Sequence, residues 1–266
     1  MLPASALGVR WTIGDVSEQG FEALRLSVLG ARKTFGPQAA YAICVNTIAL
    51  ARAQQLTGEL PPEVVWIDAT GLLPRWLYPY FDEGMAQGVG WKFAPLRVFP
   101  DRYELALDND CILWEVPRAI QIALAAQPQS CVLAQDTSTY LGQFAALCGP
   151  EPRNTGIRGT PIEFDLAAAL RATLERCACR LKSETDEQGL QVAALSANSH
   201  VDIVGTADVA ICSPFPPHSR ELGRCGAHFV GLNARNLPWE YYGRPASEVR
   251  RAHWYELRDA IIEHVA

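Results

Sequence analysis

Apolar positions in this chain alternate between short, mainly apolar runs and stretches with helical spacing. The runs at 9–13, 41–45 and 64–67 are rich in β-branched and aromatic residues and end at polar or turn-forming ones, the mark of buried strands. Between the first two runs, Phe21, Leu24, Val28 and Phe35 recur on one helical face, and Gly36-Pro37 supplies a stop. A shorter helix through about Gln55 separates the second run from the third. This β-α-β-α-β opening predicts a mostly parallel sheet with helices on its faces. The stretch 68–95, rich in aromatics, Gly and Pro, reads as a loop with a short helix over the crevice. A fourth run, 103–107, leads straight into Asp108-Asn109-Asp110 and on to Ile112 and Leu113.

The second half is less regular. Pro117 suits a first helical position, followed by an apolar face of Ile120, Ala123 and Leu124. A strand at 131–134 ends at Gln135-Asp136, and 154–159, with Gly156 and Gly159, reads as a turn-forming segment. Thr160-Pro161-Ile162-Glu163 has the form of a capping box opening a long helix to about Leu181, with Phe164, Leu166, Leu170 and Leu174 on its apolar face. A second box, Thr185 to Gln188, opens the next helix, which carries Leu190, Ala194 and Leu195. Strands at 201–204 and 209–212, a Pro-rich loop and a last helix from about Ser247 complete the pattern. With no repeat or linker, the reading is one domain over 1–266 with an insertion-like second half. Its fold class is α/β, a Rossmann-like, mostly parallel mixed sheet flanked by helices.

Composition adds limits. At 266 residues and 49% hydrophobic the chain can bury a full core. A net charge of −6 argues against nucleic acid or an anionic membrane as the main partner, so a phosphate-bearing ligand needs local basic groups or a metal. The N-terminus has neither a basic start nor a long apolar core, and no stretch approaches a membrane-spanning length; a cytoplasmic location is expected. The eight cysteines form no C-x-x-C pair and several lie in apolar runs, so buried reduced thiols are expected, not zinc or disulfides.

The sharpest chemistry lies at the end of the fourth run. Ionised carboxylates are expensive to desolvate, so Asp108 and Asp110 at the mouth of an apolar strand need a cation or a hydrogen-bond network. Alternate residues of an extended segment face the same way, which lets both address one hard divalent ion. The plain alternative is a solvated turn. Asp186 and Glu187 have an equally plain reading as first-turn residues complementing a helix dipole. An isolated Lys92 reads as a surface group, and a lone His228 after a strand as structural.

His228-Phe229-Val230-Gly231 is followed by Pro238-Trp239 and Tyr241-Tyr242. With Asp108-Asn109-Asp110, Asn154-Thr155-Gly156 and Asp186-Glu187-Gln188, in this order, the set resembles the retaining glycosyltransferases of family 8, which include glycogenins and bacterial galactosyltransferases. The resemblance spans the chain from its first strand to about Tyr242. It implies the A-type nucleotide-diphospho-sugar transferase fold, with a nucleotide-binding half over 1–115 and a sugar and acceptor half, ending in a helix, over 116–266. By that resemblance Asp108, Asp110 and His228 hold Mn²⁺, or Mg²⁺, with the donor diphosphate. Lys92, Asn109, Asn154, Asp136, Gln188 and Gly231 meet the nucleotide-sugar, and Asp186 and Glu187 stand as catalytic residues beside the transferred sugar.

Two departures are visible. The family's lysine before Pro-Trp is replaced by Leu237, with a longer spacing from His228; Arg235 or Arg244 is then a candidate diphosphate contact. Glu187 also stands where the family has Gln. The implied activity is metal-dependent transfer of a sugar, with retention, from a UDP-sugar to an acceptor hydroxyl on a glycan, lipid or protein. The alternatives are a non-catalytic nucleotide-sugar or glycan-binding homologue, a sugar nucleotidyltransferase and a haloacid-type phosphatase. The nucleotidyltransferases' Gly-rich basic loop is replaced here by acidic Gly14-Asp15-Val16-Ser17-Glu18, and the phosphatases' Thr or Val after Asp-x-Asp by Cys111 and Ile112.

Overall fold

The computed structural model describes residues 6–82, 89–125 and 130–266. Within the irregular 68–95 stretch, positions 83–88 lie outside the described residues. The opening follows the apolar pattern: β1 (Leu7–Ile13), α1 (Glu18–Phe35), β2 (Ala40–Val45), α2 (Leu50–Thr57) and β3 (Val64–Asp68). Ser17 caps α1 by accepting from Gly20 N, and Gly36, at φ +80°, ends it. Short 3₁₀ turns at Arg75–Tyr80 and Val89–Phe93 then lead to β4 (Tyr103–Asp108) and β5 (Cys111–Leu113).

Next come α3 (Arg118–Ala125), β6 (Cys131–Gln135), the single turn α4 (Ala145–Cys148), β7 (Arg153–Thr160), α5 (Leu166–Cys177) and α6 (Glu184–Asn198). Strands β8 (Val201–Val204), β9 (Val209–Cys212) and β10 (Gly226–Phe229), the hairpin β11 (Glu240–Tyr241) and β12 (Arg244–Pro245), and helix α7 (Ala246–Val265) close the chain.

Seven strands form the main sheet in the order β3-β2-β1-β4-β7-β6-β8. All neighbours are parallel except around β7, which runs antiparallel to both β4 and β6. A second sheet, β5-β10-β9, packs its apolar residues with α1 and α7 through Ala23, Ile112, Ala227, Phe229, Trp254 and Ile261. The core of the main sheet lies on one side with α1 and α3, and on the other with α5 and α6.

Five expectations are corrected. The 154–159 segment is not a turn but the body of β7, placed between two strands whose edges need a partner; pairing outweighs its turn-like composition. Thr160 still belongs to that strand, and Asp165, not Thr160, caps α5 by accepting from Ala168 N at 2.9 Å. That helix stops at Cys177 rather than near Leu181, because Ala178 turns left-handed at φ +50°. Ser183, not Thr185, caps α6. Six cysteines are free and buried as expected, but Cys177 and Cys179 are joined by a disulfide, a pairing that a search for C-x-x-C spacing passes over.

Candidate active site

The chain leaves the main sheet at Asp108 and enters the second at Cys111, so the two aspartates sit in the joint between sheets. Several bonds fix that joint. On α1, Ser27 receives the Trp11 indole at 2.8 Å and donates to Cys111 O at 2.5 Å, both buried. Antiparallel pairing sets His228 opposite Cys111, and Phe229 N donates to Asp110 O at 2.9 Å. Strand register therefore carries the imidazole to the joint. Gly156 makes room for it: a Cβ there would collide with the His228 ring.

The result is a cluster in which Asp108, Asp110 and His228 offer ligand atoms all within 4.8 Å of one another. His228 Nε2 lies 3.4 Å from Asp110 Oδ1 and 3.7 Å from Asp108 Oδ2. Burial works to lower the His228 pKa, but the Asp110 and Asp108 carboxylates outweigh it and hold the pKa above 6.5. Asp110 Oδ1 and His228 Nδ1 are buried without a hydrogen-bond partner. A divalent ion binds oxygen at roughly 2.0–2.6 Å, so a spread of this size fits one ion, and the orphaned Asp110 oxygen supplies a ready ligand.

Two further groups reach the cluster. Lys92 Nζ, from the turn Val89–Phe93, is 3.0 Å from Asp108 and 3.7 Å from Glu187 Oε2. Burial pulls the Lys92 pKa down, yet those two carboxylates raise it overall. Burial pushes Glu187 up to about 7, with Lys92 acting against it and Asp108 adding to it. Gln191, one turn along α6, donates to Glu187 Oε1.

Glu187's neighbour turns elsewhere. Asp186 accepts from Gln143 N at 2.9 Å, Gln143 Nε2 at 2.9 Å and Lys182 N at 2.8 Å. Burial raises its pKa, but these hydrogen bonds bring it below the ordinary carboxylate value. Its carboxylate thus ties α6 to the Gly142–Phe144 turn.

The remaining expected residues divide. Asn154 stays near the cluster, its Oδ1 receiving Gly156 N at 2.9 Å and its Nδ2 reaching Gln135 O at 3.0 Å. Asn109 is drawn into the fold, donating to Gly20 O at 3.0 Å and to Asn233 Oδ1 at 2.7 Å. Asp136 accepts from Thr137 N at 2.6 Å, and Gln188 donates to Tyr140 O at 2.9 Å. Gly231 takes φ +78° in the turn after β10. Arg235 pairs through both Nη atoms with Asp15, and Arg244 is exposed in the hairpin.

Sequence reasoning missed two residues here. Asn233 returns Asn109's hydrogen bond at 3.0 Å and donates to Asp110 Oδ2 at 3.2 Å. It lies in the long interval between Gly231 and Pro238, which was the one signal available for it. Arg158 on β7 is buried beside Lys92, Asp108 and Thr155, with its pKa lowered to about 10 by burial and by Arg10. Nothing in an apparent turn segment pointed to it.

The sheet order, the antiparallel β7 and an acidic joint between two sheets define the A-type glycosyltransferase fold. Solved structures bear this out. The chain is similar to galactosyltransferase LgtC in complex with donor and acceptor sugar analogs (TM-score 0.57, 10% identity, 97% of this chain and 95% of that one). It is also similar to an active-site mutant of LgtC (TM-score 0.53, 11% identity, 94% and 95% covered). Mouse xyloside xylosyltransferase 1, in its apo form, matches at TM-score 0.54 and 13% identity, with 87% and 99% covered. At such identities the likeness is one of fold. In sequence, no family model and no curated protein matches the chain.

Proposed function

We propose that this chain is a metal-dependent glycosyltransferase that moves a sugar from a nucleotide-diphosphate donor, a UDP-sugar, to an acceptor hydroxyl with retention. The observation that carries this reading is the convergence of Asp108, Asp110 and His228 at the joint between sheets, beside Lys92 and Glu187, in a fold shared with glycosyltransferases. LgtC was solved with donor and acceptor sugar analogs, which supports a nucleotide-sugar and a glycan as the two substrates here.

In this reading the first half of the chain, 1–115, holds the nucleotide and 116–266 holds sugar and acceptor. A groove of about 690 Å³ lined by Asn46, Thr47, Asp68, Thr70 and Tyr78 lies where β2 and β3 end, the usual ligand side of such sheets. Asp108, Asp110 and His228 would hold Mn²⁺ or Mg²⁺, a donor set of two carboxylates and an imidazole suited to either a manganese or a magnesium complex. Such an ion, when bound, neutralises charge growing on the leaving diphosphate. Lys92 adds a fixed positive charge at the same place. Asn233 holds Asp110 by one oxygen and leaves the other for the ion. Glu187, with a pKa near neutrality, is the carboxylate facing the cluster and stabilises positive charge on the transferred sugar when ionised. Asp186 supports it by anchoring the turn.

A thermal-shift series with UDP and UDP-sugars, with and without Mn²⁺, tests the reading. Stabilisation by UDP that requires the metal is the expected result, because a ligand of the native state alone raises stability by mass action. Donor binding without any donor hydrolysis or transfer would favour the non-catalytic homologue, the reading that Leu237 in place of the family's lysine supports.

A further inference from the structure

Behind the turn 231–236 lies a groove of about 400 Å³ between the N-terminal ends of α1 and α7 and the side of α2. Its charged lining is Arg52, Arg235, Arg250 and Arg251 against Glu18, with Asp15 reaching Arg235 from the loop after β1. This is a concentration of positive charge in a chain whose net charge is −6. None of Lys92, Asp108, Asp110, Glu187 or His228 lines it.

Arg250 is the telling residue. Only 6% exposed, it spends its Nη atoms on Gly231 O and Ala234 O, and its Nε has no partner. Among the described residues neither Arg250 nor its groove neighbours Arg52 and Arg251 pairs with a carboxylate. Carbonyl oxygens offset part of the cost of burying a guanidinium, but an uncompensated buried charge and an orphaned N–H remain. A bound anion answers the charge. Helices α1 and α7 direct their N-terminal ends to the same space, which adds positive potential.

We propose that this groove binds the phosphate of a small phosphate ester at Arg52, Arg250 and Arg251, apart from the Asp108–Asp110–His228 cluster. The groove is larger than a phosphate ion fills, and Val16, Phe21 and Leu56 give its remainder an apolar wall for the organic part. One short turn separates the groove from the cluster. Arg250 holds the carbonyls of Gly231 and Ala234, while Asn233 between them holds Asp110.

Equilibrium dialysis of inorganic phosphate against the full chain tests this, at low ionic strength and with a chelator present so that no metal-bound site contributes. The expected result is saturable binding at one site per chain. Replacing exposed Arg52 and Arg251 together by Ala should weaken it by about tenfold or more, since each removes a charge-assisted hydrogen bond. Circular dichroism confirms the fold of that variant, and Arg251→Glu alone, which should also lose phosphate, serves as a second. Asp110→Asn should retain phosphate binding, even if the proposed transferase function is wrong. Absence of saturable binding in the parent, full binding in both arginine variants, or loss in Asp110→Asn alone would each overturn the site.

Discussion

Two regions of this molecule each carry a close pair of acidic residues and use them in opposite ways. At the joint between sheets, Asp108 and Asp110 lie two apart, one at the end of β4 and one in the tight turn before β5, and both face His228. In the first turn of α6, Asp186 and Glu187 are adjacent on a helix, where neighbours diverge by roughly 100°. One carboxylate is consequently tied by three hydrogen bonds from Gln143 and Lys182, and the other is buried facing Lys92. Their pKa values part accordingly: Asp186 is held low and Glu187 rises to about 7. The same side-chain chemistry makes a ligand pair in one backbone and an anchor plus a poised group in the other.

The largest effect should come from the joint. Asp110→Asn keeps the shape of the side chain but removes the charge and the orphaned anionic oxygen, so Mn²⁺-dependent stabilisation by UDP should disappear while the melt without ligand changes little. Thermal shift measures both. A full metal-dependent shift in this variant would reduce the joint to a solvated turn.

Removing the imidazole should cost less. His228→Ala leaves two carboxylates, and we expect metal-dependent UDP binding to weaken by at least the roughly 10–100-fold typical of losing a ligand's outer-shell partner, but not to vanish. The pH dependence is more telling. Ligation needs the neutral ring, and the Asp110 and Asp108 carboxylates hold its pKa above 6.5 in the metal-free fold, so metal binding in the parent should fall as pH drops through that raised value. In the metal-free protein the sign reverses: His228 contributes stability that is full below 6.5 and lost as pH rises through its folded pKa. The Ala variant should lose both dependences, which metal titrations and urea melts across pH would reveal.

The smallest effects separate the two α6 carboxylates. Asp186→Asn should cost about 1–3 kcal/mol at neutral pH by disturbing a buried hydrogen-bond set. Because its folded pKa is depressed, the stability Asp186 contributes is present above the ordinary carboxylate value and is lost as pH falls through the lowered one. Glu187→Gln should do the opposite. A carboxylate whose pKa rises from 4.5 to about 7 on folding makes the native state less stable as pH increases across that interval. The amide should therefore stabilise the metal-free protein at pH 8 by about 1–3 kcal/mol, with little change at pH 4. Urea melts at the two pH values check both variants; matching pH profiles would erase the distinction.

Much of this was legible before folding was considered. The short, mainly apolar runs marked β1 to β4, β6, β8 and β9, because strands covered by helices draw on apolar, β-branched and aromatic residues. Helical spacing marked α1, α6 and α7 for the corresponding reason. The acidic pair was visible because charge at the end of an apolar strand is a local anomaly. Strand β7 was not visible, since its Asn, Thr and Gly composition is that of a turn. Only vacant edges on β4 and β6 make that segment extended.

What the chain order determines, then, is which residues are paired by near neighbours: the spacing of Asp108 and Asp110, and the adjacency of Asp186 and Glu187. Tertiary structure alone decided which of them meet. His228 reaches the joint through its register with Cys111, Lys92 through a 3₁₀ turn, and Asn233 through the turn that follows β10. It also decided that Asp186 turns away, that Asn109 is spent on Asn233, and that a buried arginine with no carboxylate lines a groove. Local spacing sets where a side chain can point along its own element. Whether it finds a partner there depends on packing between elements far apart in sequence, where desolvation makes each unpaired charge costly enough to matter.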